Sequence, residues 1–161
     1  MNLIYLQLGS NLGDRKLLLD SAVSLINTKI GRVLRSSKIY ESDAWGVSRQ
    51  PKYLNQILEV HSNIGCEFIL KDIHSIESQL GRVRGKKWQE RLIDIDVIFF
   101  NDLIIEKTDL YIPHKYMHKR RFVLEPLNEL IADYIHPKYN KSIERLLNEC
   151  TDKKIVREYE L

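Results

Sequence analysis

Two aspartates, Asp94 and Asp96, lie two positions apart in the mostly apolar run 91–100. Side chains alternate across a β-strand, so a strand here places both carboxylates on one face. Like charges about 7 Å apart cost free energy unless a cation lies between them. Such oxygen ligands suit Mg²⁺, which takes one or two carboxylates together with substrate phosphates. The alternation assigns Ile98 and Phe100 to the carboxylate face, and Ile93, Ile95, Val97 and Phe99 to an apolar face.

A basic segment, 81–91, precedes the aspartates and contains five cations, two glycines and Trp88. Arg and Lys side chains bind phosphate oxygens while acids hold metal ions, so this combination is typical of a metal–nucleotide site. The aspartate pair alone is equally typical of a solvent-exposed strand face. The adjoining cations favour the metal site.

A second basic cluster lies at 112–122. His114 and His118 are four positions apart, but Lys115 stands where a zinc-protease helix needs glutamate, so we set zinc aside. We predict instead that His114 and Arg120 contact phosphate. A solvated basic loop is the alternative when the cluster is considered alone.

Two further patterns are weaker. Tyr53 and Asn55 share one face of a predicted strand, and a ring beside an amide suits a flat heteroaromatic ligand with hydrogen-bonding edges. On their own they are more typical of a half-exposed sheet face. The run 9–13 lacks the Gly-Lys-Ser/Thr ending of a phosphate-binding loop. It is interpreted as a capped turn into a helix, with cap candidates Ser10, Asn11 and Asp14.

The composition is typical of a globular protein. The chain has 161 residues, 43% hydrophobic and 29% charged, with a formal net charge of +3. This length fits one domain, predicted over residues 1–161, and the charge is too small to indicate nucleic-acid binding by itself. Its two cysteines form neither a disulfide framework nor a metal motif. With no signal-peptide pattern and no membrane-length apolar run, we expect a cytoplasmic protein without a membrane or nucleic-acid partner.

The predicted elements follow the order β-α-β-β-α-β, and both helices are amphipathic. This order favours an α+β sandwich of the ferredoxin-like type with C-terminal additions. A tight turn at 101–102 is expected to lead into a short partner strand at 103–105. The predicted strands cover 3–8, 33–42, 53–62 and 92–100, the helices end near Thr28 and Leu80, and the additions are short helices near 124–131 and 142–149 and a strand near 154–158.

Six groups of residues together resemble one family, the 6-hydroxymethyl-7,8-dihydropterin pyrophosphokinases of the folate pathway. They occur in the family's order and near its spacing over most of residues 3–130. The groups are Gly9-Ser10-Asn11-Leu12-Gly13, Gln50-Pro51-Lys52-Tyr53-Leu54-Asn55, Glu77 with Gly81-Arg82-Val83-Arg84, Trp88 with Arg91, Asp94-Ile95-Asp96, and Pro113-His114 with Arg120 and Phe122.

The resemblance implies a ferredoxin-like α+β fold and an ATP-dependent enzyme. Members of the family transfer the β,γ-pyrophosphoryl group of ATP to the hydroxymethyl oxygen of the pterin and release AMP. By this similarity ATP and the pterin would be the small-molecule substrates and two Mg²⁺ ions would be the cofactors. We expect the chain to be a monomer.

The same resemblance assigns roles to residues of this sequence. Asp94 and Asp96 would bind two Mg²⁺, and Arg82 and Arg91 would stabilise the transferring group. The nucleotide would be bound by His74, Glu77, Arg84, Lys87, Trp88, His114 and Arg120. The pterin would stack between Tyr53 and Phe122, with Asn55 on its polar edge and backbone groups near Ser42 to Trp45 completing the pocket.

The sequence departs from the family pattern at several positions. Gln89 and Glu90 stand where the family usually has Gly-Pro, which removes a rigid turn and adds a negative charge beside the phosphate site. Asp43 lies in a loop that usually carries Thr and Pro. Lys115 replaces a common proline, and Arg121 is an extra cation. None of these departures touches the aspartate pair.

Two other functions stay open at this point. An RNA-binding module on the same fold would use the basic loops for charge and Tyr53 for stacking. The aspartate pair argues against it, because carboxylates without a metal repel phosphate, and the aromatic-rich RNP pattern is absent. A kinase for another small molecule would share the metal site, and only Tyr53, Asn55 and Phe122 argue against that.

Overall fold

The structure, a computed structural model, describes residues 1–44, 49–82 and 92–161. In these three ranges no helix combines the length and the apolar character needed to cross a membrane. The strands are β1 (Asn2–Ser10), β2 (Arg32–Ser36), β3 (Tyr40–Ser42), β4 (Tyr53–Ser62), β5 (Asp94–Phe100), β6 (Ile105–Glu106), β7 (Tyr111–Ile112) and β8 (Val156–Glu158). The helices are α1 (Arg15–Lys29), α2 (Cys66–Gln79), α3 (Arg121–Ile131) and α4 (Ile143–Glu149), with a 3₁₀ turn at Met117–Lys119.

Among the described residues, six strands form one sheet. The main path is β5-β1-β4-β3-β8 with every neighbouring pair antiparallel, and β2 also pairs with β4. In the βαββαβ unit, β2 and β3 together take the place of the second strand, β4 is the third and β5 is the last. Strand β1 thus lies between the last and the third strand of the unit, as in ferredoxin-like sandwiches. The helices α3 and α4 and the strand β8 are the C-terminal additions, so the predicted fold class is confirmed.

One face of the sheet is covered by α1 and α2. Side chains at even-numbered positions of β1 and β4 pack into this layer, and Leu6, Leu8 and Leu58 have no exposed surface. Helix α1 is capped by Asp14, whose carboxylate accepts a hydrogen bond from the amide of Leu17 at 3.1 Å. The predicted alternation of β4, with its apolar side chains at even positions, is confirmed.

The opposite face is covered at one end, where α3 and α4 pack against Tyr5, Ile57 and Phe99. A bulge at this end changes the alternation of β5, because Tyr5 pairs with Phe99 while Leu6 pairs with Val97. Phe99 therefore packs beneath α3, and Phe100 joins the cluster beneath α1 and α2. The prediction that placed Phe99 on the apolar face with Val97, and Phe100 on the carboxylate face, is wrong.

Three local boundaries also differ from the predicted ones. The expected strand 33–42 is interrupted at Ser37, whose hydroxyl accepts a hydrogen bond from the amide of Ile57 at 2.9 Å. Strand β1 continues to Ser10, so the turn into α1 starts only after that residue. The chain does turn at Asn101, which has a φ of 49°, but the short strand that follows begins at Ile105 and pairs with β7 rather than β5.

Candidate active site

The sheet face opposite α1 and α2, here called the second face, is left uncovered at the end away from α3 and α4. A row of three paired residues crosses this uncovered end. Gly9 in β1 pairs with Asp94 in β5 on one side and with Asn55 in β4 on the other. Directly paired residues place their side chains on the same face of a sheet. A Cβ on Gly9 would lie 3.5 Å from the ring of Tyr53. Gly9 therefore leaves a gap between the carboxylate and the Tyr53–Asn55 pair.

Gln7 lies in the next row and pairs with Asp96. Its Nε2 donates to the carbonyl of Leu8 at 3.0 Å and makes a longer contact of 3.4 Å with Oδ1 of Asn55. Its Oε1 is buried and has no hydrogen-bond partner within residues 1–44, 49–82 and 92–161. A buried amide oxygen costs free energy unless something donates to it, so Gln7 belongs to the candidate site. Gln7 is not among the site residues predicted from the sequence, where a polar side chain at an odd-numbered position of an apolar strand is its only signal.

Arg82 connects the site to α2. Its guanidinium donates to Oδ1 of Asp94 at 2.9 Å and also to Oε2 of Glu77. Glu77 is buried, and the same oxygen accepts a hydrogen bond from the amide of Ile95 at 3.2 Å. Gly81, with a φ of 90°, directs the chain away from the end of α2 immediately before Arg82. One guanidinium thus compensates two carboxylates, one inside the protein and one in the site.

A cleft of about 350 Å³ runs beside β5, between α2 and the segment 108–116. A cavity of this volume admits a small-molecule ligand. Tyr111 and Tyr116 also line the cleft and were not predicted as site residues. The predicted nucleotide and catalytic residues that line it are His74, Glu77, Arg82, Asp94, Asp96 and His114.

His114 is a neutral wall of this cleft. Its Nδ1 accepts a hydrogen bond from the amide of Tyr116 at 3.2 Å, which assigns the proton to Nε2. Burial, reinforced by the charge of Arg120 and opposed by that of Asp94, lowers the pKa of His114 to about 4. At pH 7 the imidazole offers a ligand a hydrogen bond from Nε2 rather than a positive charge.

Arg120 lies over two aromatic rings at the start of α3. Its guanidinium carbon is 5.5 Å from the ring centroid of Tyr116 and 5.8 Å from that of Phe122. Arg120 occupies the N-cap position of α3, and Phe122 lies in the first helical turn. The structure therefore brings Arg120 and Phe122 together at the start of α3.

Ser42, Tyr53 and Asn55 form a second group beside Gly9. The Nδ2 of Asn55 donates to the hydroxyl of Ser42 at 2.8 Å and to the carbonyl of Tyr40 at 3.3 Å. These bonds fix the plane of the amide of Asn55, whose Oδ1 receives the long contact from Gln7. Asn55 therefore keeps an oxygen that can accept a hydrogen bond from a ligand N–H.

The remaining predicted residues lie outside the described ranges, so their roles stay predictions. They are Trp45, Arg84, Lys87, Trp88 and Arg91, together with the departures Gln89 and Glu90.

The described acids fit a magnesium site. Asp94 and Asp96 both line the cleft and are separated by one residue in β5. Arg82 already places a positive charge 2.9 Å from a carboxylate oxygen of Asp94, so this position accommodates a cation. Two carboxylates are what Mg²⁺ commonly takes from a protein, with phosphate oxygens and water as its other ligands.

Comparison with known proteins gives consistent matches. The family model for 7,8-dihydro-6-hydroxymethylpterin-pyrophosphokinase (HPPK) matches residues 5–132. The 2-amino-4-hydroxy-6-hydroxymethyldihydropteridine pyrophosphokinase of Aquifex aeolicus is 35% identical over 151 residues, which cover 94% of each chain. The Bacillus subtilis protein of the same name is 38% identical over 130 residues, covering 80% of this chain and 78% of its own.

A solved structure shares the fold. The crystal structure of wild-type Plasmodium falciparum HPPK-DHPS with pteroate matches with a TM-score of 0.78 at 19% identity, covering 92% of this chain and 42% of that one. This chain thus spans less than half of that longer protein. Because the family model covers most of the chain and relatives exceed 30% identity over most of their length, the chain belongs to the 7,8-dihydro-6-hydroxymethylpterin-pyrophosphokinase family.

Proposed function

We propose that this protein transfers the pyrophosphoryl group of ATP to the hydroxymethyl group of 6-hydroxymethyl-7,8-dihydropterin and releases AMP, a step of tetrahydrofolate biosynthesis. The observation that carries the proposal is the position of Gly9 between Asp94 and Asn55 in one row of the sheet. Asp94 and Asn55 lie two strands apart, or about 10 Å. This distance allows a flat ring and a phosphate to lie side by side above Gly9.

Asp94 and Asp96 are proposed to hold two Mg²⁺ ions, on which activity would depend. When bound, the ions would neutralise phosphate oxygens and draw electron density from the phosphorus under attack. Arg82 lies within hydrogen-bond reach of Asp94 and would donate to the charge that develops on the transferring group. Arg91 is proposed to act with Arg82. The buried carboxylate of Glu77, which accepts a hydrogen bond from Arg82, would hold the guanidinium in place.

The pterin is proposed to stack on Tyr53, with Phe122 on its other side. Asn55 would accept a hydrogen bond from a pterin N–H through Oδ1, because its Nδ2 is already engaged by Ser42 and Tyr40. Stacking fixes the plane of the ring and the amide fixes its rotation, so together they aim the hydroxymethyl oxygen at the phosphate. Trp45 is proposed to complete this pocket.

The nucleotide is proposed to occupy the cleft beside β5. The neutral His114 would donate from Nε2 to a phosphate or ribose oxygen, and Arg120 would supply a fixed positive charge. The side chain of His74 lies on the α2 wall of the same cleft. Arg84, Lys87 and Trp88 are proposed to contribute further contacts to ATP.

We further propose that residues 1–161 act as one catalytic domain and as a monomer, with small molecules as the only substrates. A cytoplasmic location is part of the same proposal.

The direct test is to incubate the protein with ATP, MgCl₂ and 6-hydroxymethyl-7,8-dihydropterin and to follow phosphorus by NMR. We expect AMP and a pterin diphosphate to appear together in equal amounts. Replacing the substrate by 6-methyl-7,8-dihydropterin, which lacks the attacking hydroxyl, should abolish AMP release while retaining binding. Chelation of Mg²⁺ should stop the reaction.

Two results would contradict the proposal. ADP as the nucleotide product would indicate a simple kinase that transfers one phosphoryl group. Retention of RNA without any Mg²⁺-dependent binding of ATP would favour the nucleic-acid-binding alternative.

A further inference from the structure

The segment 150–159, here called the C-terminal strap, connects two parts of the molecule that border the proposed pterin pocket. It follows α4 and ends in β8, which pairs with β3 through Val156 opposite Ser42 and Glu158 opposite Tyr40. The amide of Tyr159 extends the pairing by donating to the carbonyl of Ile39 at 2.8 Å. The strap is therefore fixed to the strand that carries Ser42.

At its other end the strap caps α3. The N-cap residue of α3, Arg120, makes no side-chain capping bond, and the amide of Arg121 donates instead to Oδ2 of Asp152 at 3.0 Å. A carboxylate at a helix N-terminus compensates both the unpaired amides and the helix dipole. The guanidinium of Arg121 returns the contact by donating to the backbone carbonyl of Asp152 at 2.8 Å. Asp152 and Arg121 thus fix the turn that carries Arg120 and Phe122.

Between these anchors, Lys154 reaches across the pocket border. Its Nζ donates to the carbonyl of Ala44, which is buried and directly precedes Trp45 in the sequence. The amide of Lys154 donates to Oδ1 of Asp152 at 3.0 Å. The carboxylate of Asp152 therefore connects the backbone of Lys154 to the start of α3. The ammonium group of Lys154 connects the same residue to Ala44.

We propose that Lys154 and Asp152 are positioning residues that hold the two walls of the pterin pocket at a fixed separation. One wall carries Ser42 and Ala44, and the other carries Phe122. A pocket that is already assembled binds its ligand without a further cost of ordering its walls. The inference rests on the proposed function, because it concerns the pocket assigned there to the pterin.

The strap does not border the nucleotide cleft, whose lining comes from α2, β5 and the segment 108–116. Loss of the contact between Lys154 and Ala44 should therefore weaken binding of the pterin and leave binding of ATP unchanged. A strap that only stabilised the fold would lower the melting temperature without separating the two ligands.

The test compares Lys154→Met with Lys153→Met, since Lys153 is an exposed neighbour whose loss changes the net charge equally. Binding of the pterin is measured by calorimetry in the presence of a non-hydrolysable ATP analogue, and binding of the analogue is measured alone. For Lys154→Met we expect about a fivefold loss of pterin affinity, with the affinity for the analogue changed less than about twofold. Lys154→Arg should restore most of the loss, because it keeps a donor of similar reach.

A second variant, Asp152→Asn, tests the α3 anchor and should also weaken pterin binding; because the same turn carries Arg120, binding of the analogue should weaken with it. The proposal is overturned if Lys154→Met binds pterin like the wild type, if it matches Lys153→Met, or if both ligands weaken in proportion. Failure of the wild-type protein to bind pterin or release AMP would instead refute the proposed function, and the role of the strap with it. A fully active wild type with an unaffected Lys154→Met variant would refute the strap alone.

Discussion

Leu8 and Gly9 are neighbours in β1 and lie on opposite faces of the same sheet. Leu8 is fully buried beneath α1 and α2, in a cluster that includes Ile4 and Leu6 of the same strand. Gly9 lies between Asp94 and Asn55 at the uncovered end of the other face. Alternate residues of one strand thus serve stability on one side and binding on the other. The two properties should therefore respond to different mutations.

The second face repeats this contrast along its own length. Its covered end, around Tyr5 and Phe99, is apolar and is closed by α3 and α4. Its uncovered end collects the polar residues Gln7, Asp94 and Asn55, and the buried Oε1 of Gln7 has no hydrogen-bond partner among the described residues. The candidate site thus lies on the part of the second face that α3 and α4 do not cover.

The largest effect is expected for Asp96→Asn on the uncovered end. The amide keeps the size of the side chain but removes the negative charge proposed to hold Mg²⁺, so kcat should fall about 10³-fold. Stability should hardly change, because Asp96 is not part of the apolar clusters. Steady-state release of AMP and a thermal melt measure the two properties. The control variant Asp102→Asn, at an exposed position beyond the other end of β5, should stay fully active. An active Asp96→Asn protein would contradict the proposed role of Asp96 in binding Mg²⁺.

Leu8→Ala should have the opposite pattern. Deleting most of a fully buried side chain from the α1–α2 layer should lower the free energy of unfolding by about 3 kcal/mol. The kcat of the folded fraction should stay within about twofold, since Leu8 faces away from the site. Denaturant unfolding and single-temperature kinetics well below the melting transition give both numbers. Loss of activity without loss of stability would contradict the assignment of the two faces.

Acid should lower the free energy of unfolding through protonation of His136. This residue packs against Phe99 at the covered end of the second face. The Nδ1 of His136 accepts hydrogen bonds from the amides of Lys138 and Tyr139, each at 3.1 Å. Burial, followed by the charges of His118 and Lys138, lowers the pKa of His136 from its usual 6.5 to about 4. The imidazole is thus neutral in the folded protein at mildly acidic pH.

Between pH 6.5 and pH 4 the unfolded chain binds more protons at His136 than the folded one, so the free energy of unfolding decreases as pH falls. We expect His136→Asn, whose Oδ1 can accept the same amides, to reduce this decrease by about 2 kcal/mol. Chemical denaturation at pH 7 and pH 4.5 measures it, with His61→Asn as the control. An unchanged pH dependence in His136→Asn would show that other groups cause the acid effect.

Some of these features could be predicted from the sequence and others could not. The bounds of strand β4 are predictable, because its even positions are mainly apolar, at Leu54, Leu58 and Val60, and its odd positions include Tyr53 and Asn55. The common face of Asp94 and Asp96 follows from the same periodicity. The bulge in β5 could not be predicted, since Ile98, Phe99 and Phe100 are all apolar and no pattern marks which of them faces which helix layer.

Contacts between segments that are distant in the sequence could not be predicted either. The roles of Gln7 and Gly9 depend on the register of β1 with β4 and β5, which single-strand periodicity does not determine. Asp152 caps α3 from about thirty positions away, so its capping role is not visible as a local motif. The family resemblance supplied Arg82 and Glu77 as site residues, but their mutual contact appears only in the structure.

The smallest effect is expected for Tyr53→Ala, which acts within the uncovered end itself. Removing the ring should weaken pterin binding about tenfold, equivalent to about 1.4 kcal/mol, because a stacking surface is lost. Binding of an ATP analogue should change less than about twofold, since Tyr53 does not line the cleft beside β5. Tyr53→Phe keeps the ring and should bind pterin like the wild type, which separates stacking from hydrogen bonding by the hydroxyl. If calorimetry showed equal losses for both ligands in Tyr53→Ala, the pterin would have to bind elsewhere, and the gap above Gly9 would need another occupant.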